Sequence, residues 1–195
     1  MLEKTLMAFP EALISVDTFR SGVAAEAIDL GAAMVNDISA GQLDPEMFKL
    51  IAERQVPYVA MHMRGNPRTM QQKTEYDDLM KALIYFFSKV AFELKSLGVN
   101  DIILDPGFGF SKDLSQNYKL LQQLELLHCL KLPLLVGLSR KSMLYKLLDI
   151  EAKEALNATT AAHAFALQKG AQILRVHDVK AALECIRISE EIKGA

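Results

Sequence analysis

Polar side chains that could bind or transfer charge follow each short apolar run of this 195-residue sequence. Arg175 and His177 stand two apart after the last run, and alternate residues of an extended segment share a face. A guanidinium fork binds phosphate in a bidentate manner and the imidazole adds a donor, so the pair could hold an anion. The residues in question are Asp17, Asn36, His62, Asp105, Ser139, Arg175 and His177.

The segment LDPGFGF (104–110) ends an apolar run on a carboxylate and places two phenylalanines in a turn. Exposed loops usually carry polar side chains, so aromatic rings here indicate a flat ligand or a packed lid. Gly107 and Gly109 allow the backbone to turn tightly. Asp105 could bind a ligand or only cap the turn through an Asx-type hydrogen bond, and the residues alone leave both roles open.

The composition excludes several broad classes of protein. A net charge of −2 argues against a general nucleic-acid binder, and no apolar run reaches the roughly 18 residues of a membrane span. The first residues lack the basic start and cleavage site of a secretory signal. Cys129 and Cys185 have no metal-type spacing and lie on apolar helical stretches, which predicts buried or half-buried free thiols and a cytoplasmic protein.

These polar residues must be positioned by a repeated unit, an apolar run followed by a segment with helical periodicity. Nearly continuous apolar strands predict a parallel sheet covered on both sides. Asp44 with Pro45 predicts the start of one helix, and Asp178 the start of the last. The predicted strands are 12–16, 32–36, 57–61, 101–104, 133–137 and 171–176, and the helices are 20–30, from 44, 77–97, from about 115, 140–148, 154–169 and from 178.

Six such units are compatible with a doubly wound α/β sheet or a TIM-type (β/α)8 barrel. In a barrel all strand ends surround one pocket, whereas in an open sheet only the strands at the switch point meet. Polar groups after every strand favour the barrel. We therefore expect one domain, 1–195, with about six units of a fold that usually needs about 250 residues.

Six ordered motifs resemble the dihydropteroate synthase (pterin-binding) family, which joins a pterin to p-aminobenzoate. They are SVDT (15–18), VNDIS (35–39), MHMRGNPRTMQ (61–71), LDPGFGFSK (104–112), VGLSRKSML (136–144) and LRVHDV (174–179). The resemblance covers the chain from the family's third strand to its last helix. It implies condensation of 6-hydroxymethyl-7,8-dihydropterin diphosphate with p-aminobenzoate, giving 7,8-dihydropteroate and pyrophosphate.

This sequence lacks two loops of the family pattern. One is of the type Asn-x-Thr-Pro-Asp-Ser-Phe-Ser, and the other is of the type Gly-Glu-Ser-Thr-Arg-Pro-Gly. In the family they supply a magnesium ligand and a phosphate-binding arginine. The resemblance thus implies Mg²⁺ as cofactor while its ligand is absent, and we expect the chain to provide no metal ligand. Losing two charged hydrogen bonds of about 1.5–3 kcal/mol each predicts retained pterin affinity with turnover reduced roughly 10²–10⁴-fold.

By resemblance, Asp105 anchors the pterin, because a carboxylate can accept two parallel hydrogen bonds from its N–H edge. Asn36 offers both a donor and an acceptor to the same ring, with a plain turn residue as the alternative. Asp17 also lines the pocket or, alternatively, is a helix-start acid. Met61 or Met63 provides an apolar wall, with plain core packing as the alternative for either methionine.

Lys141 is expected to contact the pterin and to border the p-aminobenzoate site together with Phe110 and Ser139. Arg175 and His177 form the pyrophosphate grip, and with Lys141 they are the predicted catalytic residues. The alternative for Arg175 is an ion pair with Asp178, and the alternative for His177 is a hydrogen-bonded core histidine. We assign Arg140 to a structural ion pair and His62 to packing.

Two other functions remain open at this stage. One is a catalytically inactive pterin-binding fragment or paralogue, which the two absent loops favour. The other is a pterin-dependent methyltransferase of the same superfold, which has no use for a pyrophosphate grip. The expected partners are the small-molecule substrates and a second copy of the chain in a homodimer.

Overall fold

The computed structural model describes residues 1–194, in which eight α-helices alternate with six short strands. Short 3₁₀ turns occupy Met70–Gln72, Leu124–Leu130 and Ala152–Glu154. The elements are α1 (Leu2–Ala8), β1 (Ser15–Asp17), α2 (Ser21–Asp29), β2 (Met34–Asp37), α3 (Met47–Arg54), β3 (Tyr58–Met61), α4 (Leu79–Ser96), β4 (Ile102–Asp105), α5 (Leu114–Gln122), β5 (Leu135–Val136), α6 (Ser142–Leu148), α7 (Leu156–Gln168), β6 (Ile173–Leu174) and α8 (Val179–Gly194).

The strands are parallel and follow one another in chain order. β1 to β4 form one sheet, β5 pairs with β6, and a parallel bridge between Leu104 and Leu134 joins the two groups. A doubly wound sheet reverses its strand order at a switch point, and no reversal occurs among these six strands. The predicted TIM-type barrel class is therefore confirmed, as an arc whose edges within residues 1–194 are β1 and β6.

Strand alternation divides the side chains into an outer set and an inner set. Outward residues such as Val35, Tyr58 and Leu104 pack against the helices in the main core. Inward residues form a smaller apolar cluster of Val59, Ile103 and Leu135, with Met34 and Ile173 packed against it. The register pairs Asp17 with Asn36, and it pairs Met61 with Asp105 two residues further along the strands, because Asn36 itself pairs with Val59.

Several predicted boundaries were wrong. The first strand is Ser15–Asp17 rather than 12–16, and the last two strands are only two residues each. Asp44 does not cap α3, which begins at Met47. Its carboxylate instead accepts hydrogen bonds from the backbone N–H of Ser21 (2.7 Å) and of Glu46 (3.1 Å). Cys129 is exposed, contrary to the prediction, whereas Cys185 is buried.

The helices after β3 and β4 begin at side chains that satisfy free backbone donors. Asp78 accepts from the N–H of Lys81 at the start of α4. Asp113 and Gln116 form a reciprocal capping box at the start of α5, directly after the Phe-Gly-Phe loop. None of the helices in residues 1–194 combines the length and apolar character that crossing a membrane requires.

Candidate active site

The two edge strands of the arc contribute side chains that touch each other. Arg175, after β6, makes an ion pair with Asp17 at the end of β1, although 158 residues separate them. Asp17 also accepts a hydrogen bond from Asn36 Nδ2 at 2.6 Å. The strand ends therefore converge on one space, and the alternative pairing of Arg175 with Asp178 is not the one observed.

Asn36 lies deep in this space and is only partly satisfied. Its side chain is buried, and its Oδ1 has no hydrogen-bond partner among residues 1–194. A buried polar atom without a partner costs free energy, on the order of 1–3 kcal/mol. The orphaned carbonyl oxygen is thus a ready acceptor for an N–H group of a ligand.

Asp105 is buried at the end of β4, beside Met61 in the register. Its Oδ1 accepts from the N–H of Gly107 at 2.8 Å, so the turn-capping bond exists. Burial raises the pKa of this carboxyl, and the positive charge of Lys141 is the strongest influence against that rise. Lys112 and Arg175 act in the same direction as Lys141, so the surrounding positive charges offset part of the effect of burial on this pKa.

Lys141 interacts both with Asp105, through charge, and with residues 107–111, which we call the aromatic turn. Its ammonium donates to the carbonyl oxygen of Phe108 and lies 5.0 Å from the centre of the Phe110 ring. Burial lowers the pKa of Lys141, and Asp105 opposes that change. Phe108 is fully buried, whereas Phe110 is partly exposed. Phe108 therefore belongs to the core, and Phe110 provides the wall.

Ser139 and His177 form the other side of the site. The imidazole Nδ1 of His177 lies 3.1 Å from Ser139 Oγ, which also accepts from the backbone N–H of His177 at 3.2 Å. Arg140 forms two 2.8 Å hydrogen bonds with Asp178, which confirms its predicted structural ion pair. A cavity of about 210 Å³ is lined by Gly137, Ser139, Lys141, Arg175, Val176 and His177.

Sequence reasoning missed Lys112, which is buried beneath the aromatic turn. Its ammonium donates to the carbonyl oxygens of Gly107 and Phe110, both at 3.0 Å, and lies 3.2 Å from Nδ1 of His62. His62 packs edge-on against Phe86 with ring centres 4.9 Å apart, in agreement with its predicted packing role. A lysine gives no local signal of burial, because lysines are usually exposed.

The burial of His62 predicts a pH-dependent stability. Burial, assisted by the charges of Lys112 and Arg64, lowers the pKa of His62 from about 6.5 to about 2. Between these values the unfolded chain binds the extra proton, so the free energy of unfolding decreases as the pH falls below 6.5. Between about pH 4.5 and 6, His62→Gln should reduce the slope of the free energy of unfolding against pH by about 1.4 kcal/mol per pH unit.

Urea denaturation at several pH values measures this slope. Gln keeps a polar group beside Lys112, so the comparison isolates the imidazole. A slope in His62→Gln equal to that of the unsubstituted chain would contradict the assignment of His62 as a buried neutral group.

No three His, Cys, Asp or Glu side chains cluster as a metal site anywhere in residues 1–194. Asp17 and Asp105, the acidic residues of the site, are already engaged with Arg175 and with the N–H of Gly107. The described residues therefore do not form a cage for the magnesium ion that the resemblance implies.

The arrangement can hold a flat polar ring next to an anion. Asp105 and the free Oδ1 of Asn36 are buried acceptors, suited to the N–H groups of a heterocycle. Lys141, Arg175 and His177 surround the adjoining cavity and supply positive charge and N–H donors. Because none of the side chains needs to form a covalent bond, this chemistry would be electrostatic stabilisation and positioning.

The family model described as "Pterin binding enzyme" matches residues 1–177. Dihydropteroate synthase of Synechocystis is 44% identical over 182 residues, which are 92% of this chain and 63% of that protein. The enzyme of the same name from Escherichia coli is 43% identical over 187 residues, which are 95% of this chain and 66% of that protein. The chain thus spans slightly less than two thirds of the length of these curated relatives.

Solved structures show the same likeness. A Yersinia pestis dihydropteroate synthase in complex with a sulfonamide drug has a TM-score of 0.94 and 40% identity, covering 100% of this chain and 70% of that one. The Xanthomonas albilineans dihydropteroate synthase with 4-aminobenzoic acid has a TM-score of 0.91 and 33% identity, covering 100% of this chain and 69% of that one.

Proposed function

This chain belongs to the pterin-binding enzyme family, and on that basis we propose that it carries the substrate sites of a dihydropteroate synthase. The reaction is displacement of pyrophosphate from 6-hydroxymethyl-7,8-dihydropterin diphosphate by the amine of p-aminobenzoate. The observation that carries the proposal is the convergence of Asp17, Asn36, Asp105, Lys141 and Arg175 at one end of the strands.

The pterin would lie between Asp105 and Asn36. The Asp105 carboxylate accepts two parallel hydrogen bonds from the ring edge, and the free Oδ1 of Asn36 accepts a third. Asp17 holds the amide of Asn36 in place through their 2.6 Å hydrogen bond. Met61, buried beside Asp105, forms the apolar floor.

The pyrophosphate would occupy the space in front of Arg175 and His177. The present ion pair of Arg175 with Asp17 is half exposed, and exposed pairs contribute little to stability. Arg175 can therefore exchange Asp17 for a phosphate at small cost, gaining a bidentate contact. As the bond from the pterin methylene to oxygen breaks, Arg175, His177 and Lys141 stabilise the charge that develops on the leaving group.

The second substrate, p-aminobenzoate, would lie between the Phe110 ring and Ser139, next to Lys141. Its amine attacks the methylene carbon that the pyrophosphate leaves, so two bound substrates react without a covalent enzyme intermediate. We expect sulfonamides to compete for this subsite, since one related structure contains such a drug. Mg²⁺ is proposed only as a companion of the pyrophosphate, and none of these steps depends on it.

Calorimetry with separate ligands tests the proposal. We expect the chain to bind 6-hydroxymethylpterin, and inorganic pyrophosphate to increase the affinity for p-aminobenzoate. Pterin binding that is indifferent to pyrophosphate would instead support a pterin-dependent methyltransferase. A second assay mixes the chain with 6-hydroxymethyl-7,8-dihydropterin diphosphate and p-aminobenzoate and measures released pyrophosphate; binding of all three separate ligands without such release would support an inactive pterin-binding chain. Absence of pterin binding would refute the family-based assignment of the site.

We also propose a homodimer in the cytoplasm. A groove of about 1090 Å³ lies between α5, α6 and α7, and its apolar rim includes the exposed side chains of Leu147, Leu148 and Phe165. Exposed apolar patches of this kind favour association. Two free cysteines, Cys129 and Cys185, suit a reducing compartment.

Sedimentation tests the dimer directly. We expect twice the chain mass of 21.7 kDa, and the mass of one chain after Phe165→Glu, because a carboxylate cannot be buried in an apolar interface without cost. Pterin affinity should be unchanged in this variant. A monomeric unsubstituted chain at micromolar concentration would contradict the dimer.

A further inference from the structure

The aromatic turn is held by side chains at every one of its carbonyl groups. From Gly107 to Ser111, each carbonyl oxygen accepts a side-chain hydrogen bond, which is unusual for a loop in contact with solvent. The donors, in the order of the carbonyls from 107 to 111, are Lys112, Lys141, Gln71, Lys112 and Tyr76. Among the described donors, Lys112 alone serves two of these carbonyls.

Those two carbonyls belong to Gly107 and Phe110, which are the first and last residues of a four-residue turn, 107–110. The backbone N–H of Phe110 also donates to the Gly107 carbonyl at 3.1 Å, so Lys112 binds both ends of one turn from beneath. The Phe110 ring is in turn 5.0 Å from the Lys141 ammonium. Moving either end of the turn would therefore move the wall of the adjoining subsite.

Packing alone does not account for a lysine at this position. Transferring an ammonium to a protein interior costs several kcal/mol unless it is paired. The ion pairs within residues 1–194 include none to Lys112, and its ammonium contacts only the two carbonyl oxygens and His62. An apolar side chain would fill the same space without that cost but could not hold the turn.

The contact with His62 is compatible with either protonation state of Lys112. Burial lowers the pKa of Lys112 to about 7, although Asp105 opposes the change. An ammonium can donate to an unprotonated Nδ1 of His62, and a neutral amine can accept from a protonated Nδ1. The two bonds to the turn persist in both cases, so the tether does not depend on charge.

We propose that Lys112 is a positioning residue for the second substrate. By holding the carbonyl groups of Gly107 and Phe110, it keeps the Phe110 ring against Lys141 as the wall of the p-aminobenzoate subsite. This inference rests on the function proposed above. It predicts a larger effect on the second substrate than on the pterin, because Lys112 holds both ends of the turn directly but acts on Asp105 only through its charge and through Gly107.

The test is Lys112→Met, which keeps much of the side-chain volume and removes the donors. We expect p-aminobenzoate to bind about tenfold or more weakly to the complex of the chain with 6-hydroxymethylpterin and pyrophosphate. The pterin affinity should decrease by a smaller factor than the p-aminobenzoate affinity, because Asp105 loses a nearby charge but none of its hydrogen bonds. These ligands cannot react, since no pterin–diphosphate bond is present, so the assay does not depend on turnover. Lys146→Met, at an exposed lysine of α6, should bind all ligands normally.

Unchanged p-aminobenzoate affinity in Lys112→Met would overturn the inference, and so would an equal loss of both ligands, which indicates general damage. If Lys112→Met does not fold, Lys112→Leu, which also lacks hydrogen-bond donors, replaces it with the same two outcomes. If the unsubstituted chain binds the pterin but never p-aminobenzoate, the proposed synthase function fails first and the positioning role fails with it.

Discussion

Asp105→Asn is expected to weaken pterin binding by roughly 10²–10⁴-fold. The carboxylate accepts two charged hydrogen bonds from the ring edge, whereas an amide presents one acceptor and one donor, and the donor faces another N–H. Hydrogen bonds to charged groups contribute about 1.5–3 kcal/mol each, and every 1.4 kcal/mol is a factor of about ten. The amide oxygen can still accept from the N–H of Gly107, so the turn should stay intact.

Isothermal titration with 6-hydroxymethylpterin measures this effect. Asp101→Asn is the matched control, because Asp101 is exposed at the start of the same strand and should leave the affinity unchanged. If Asp105→Asn binds the pterin as tightly as the unsubstituted chain, Asp105 only caps the turn, and the pocket assignment is wrong.

Gly107→Ala is expected to reduce the free energy of unfolding by about 2–5 kcal/mol, from overpacking and left-handed backbone strain together. A β-carbon at this position would lie 2.2 Å from the carbonyl oxygen of His62, and Gly107 has a φ of +70°. The obstructing atom belongs to the backbone after β3, which is itself hydrogen-bonded to Asp105. Neither strand can move away without breaking the site.

Urea denaturation measures the free energy of unfolding of Gly107→Ala, with Gly22→Ala as the matched control. A β-carbon on Gly22 in α2 would meet no atom of residues 1–194 within 4 Å, so this control should be neutral or stabilised by up to about 1 kcal/mol. Equal stabilities for the two variants would show that the turn relaxes freely. The close approach of β3 and the turn would then not determine the position of Phe110.

The positions of most site residues could be predicted from the sequence. Apolar runs ending in polar residues identify the strand ends, and strand alternation places Asp17, Asn36, Met61 and Asp105 on the same face. This information is local, because period-two alternation needs only neighbouring residues. The lengths of the strands and the start of α3 were harder to predict from the sequence, because strand ends depend on backbone hydrogen bonds to segments far away in the chain.

Other features exist only in the tertiary structure. Neither the contact of Arg175 with Asp17 nor the orphaned oxygen of Asn36 has a signal in the sequence, because both depend on how the arc of strands curves. Lys112 looks like an ordinary surface lysine, and its burial depends on His62, fifty residues away. The sequence by itself therefore determined which residue types reach the strand ends. Only the packing of all six strands decided which of these residues form ion pairs, form hydrogen bonds or become buried. Those interactions depend on distances between residues, which no local sequence pattern contains.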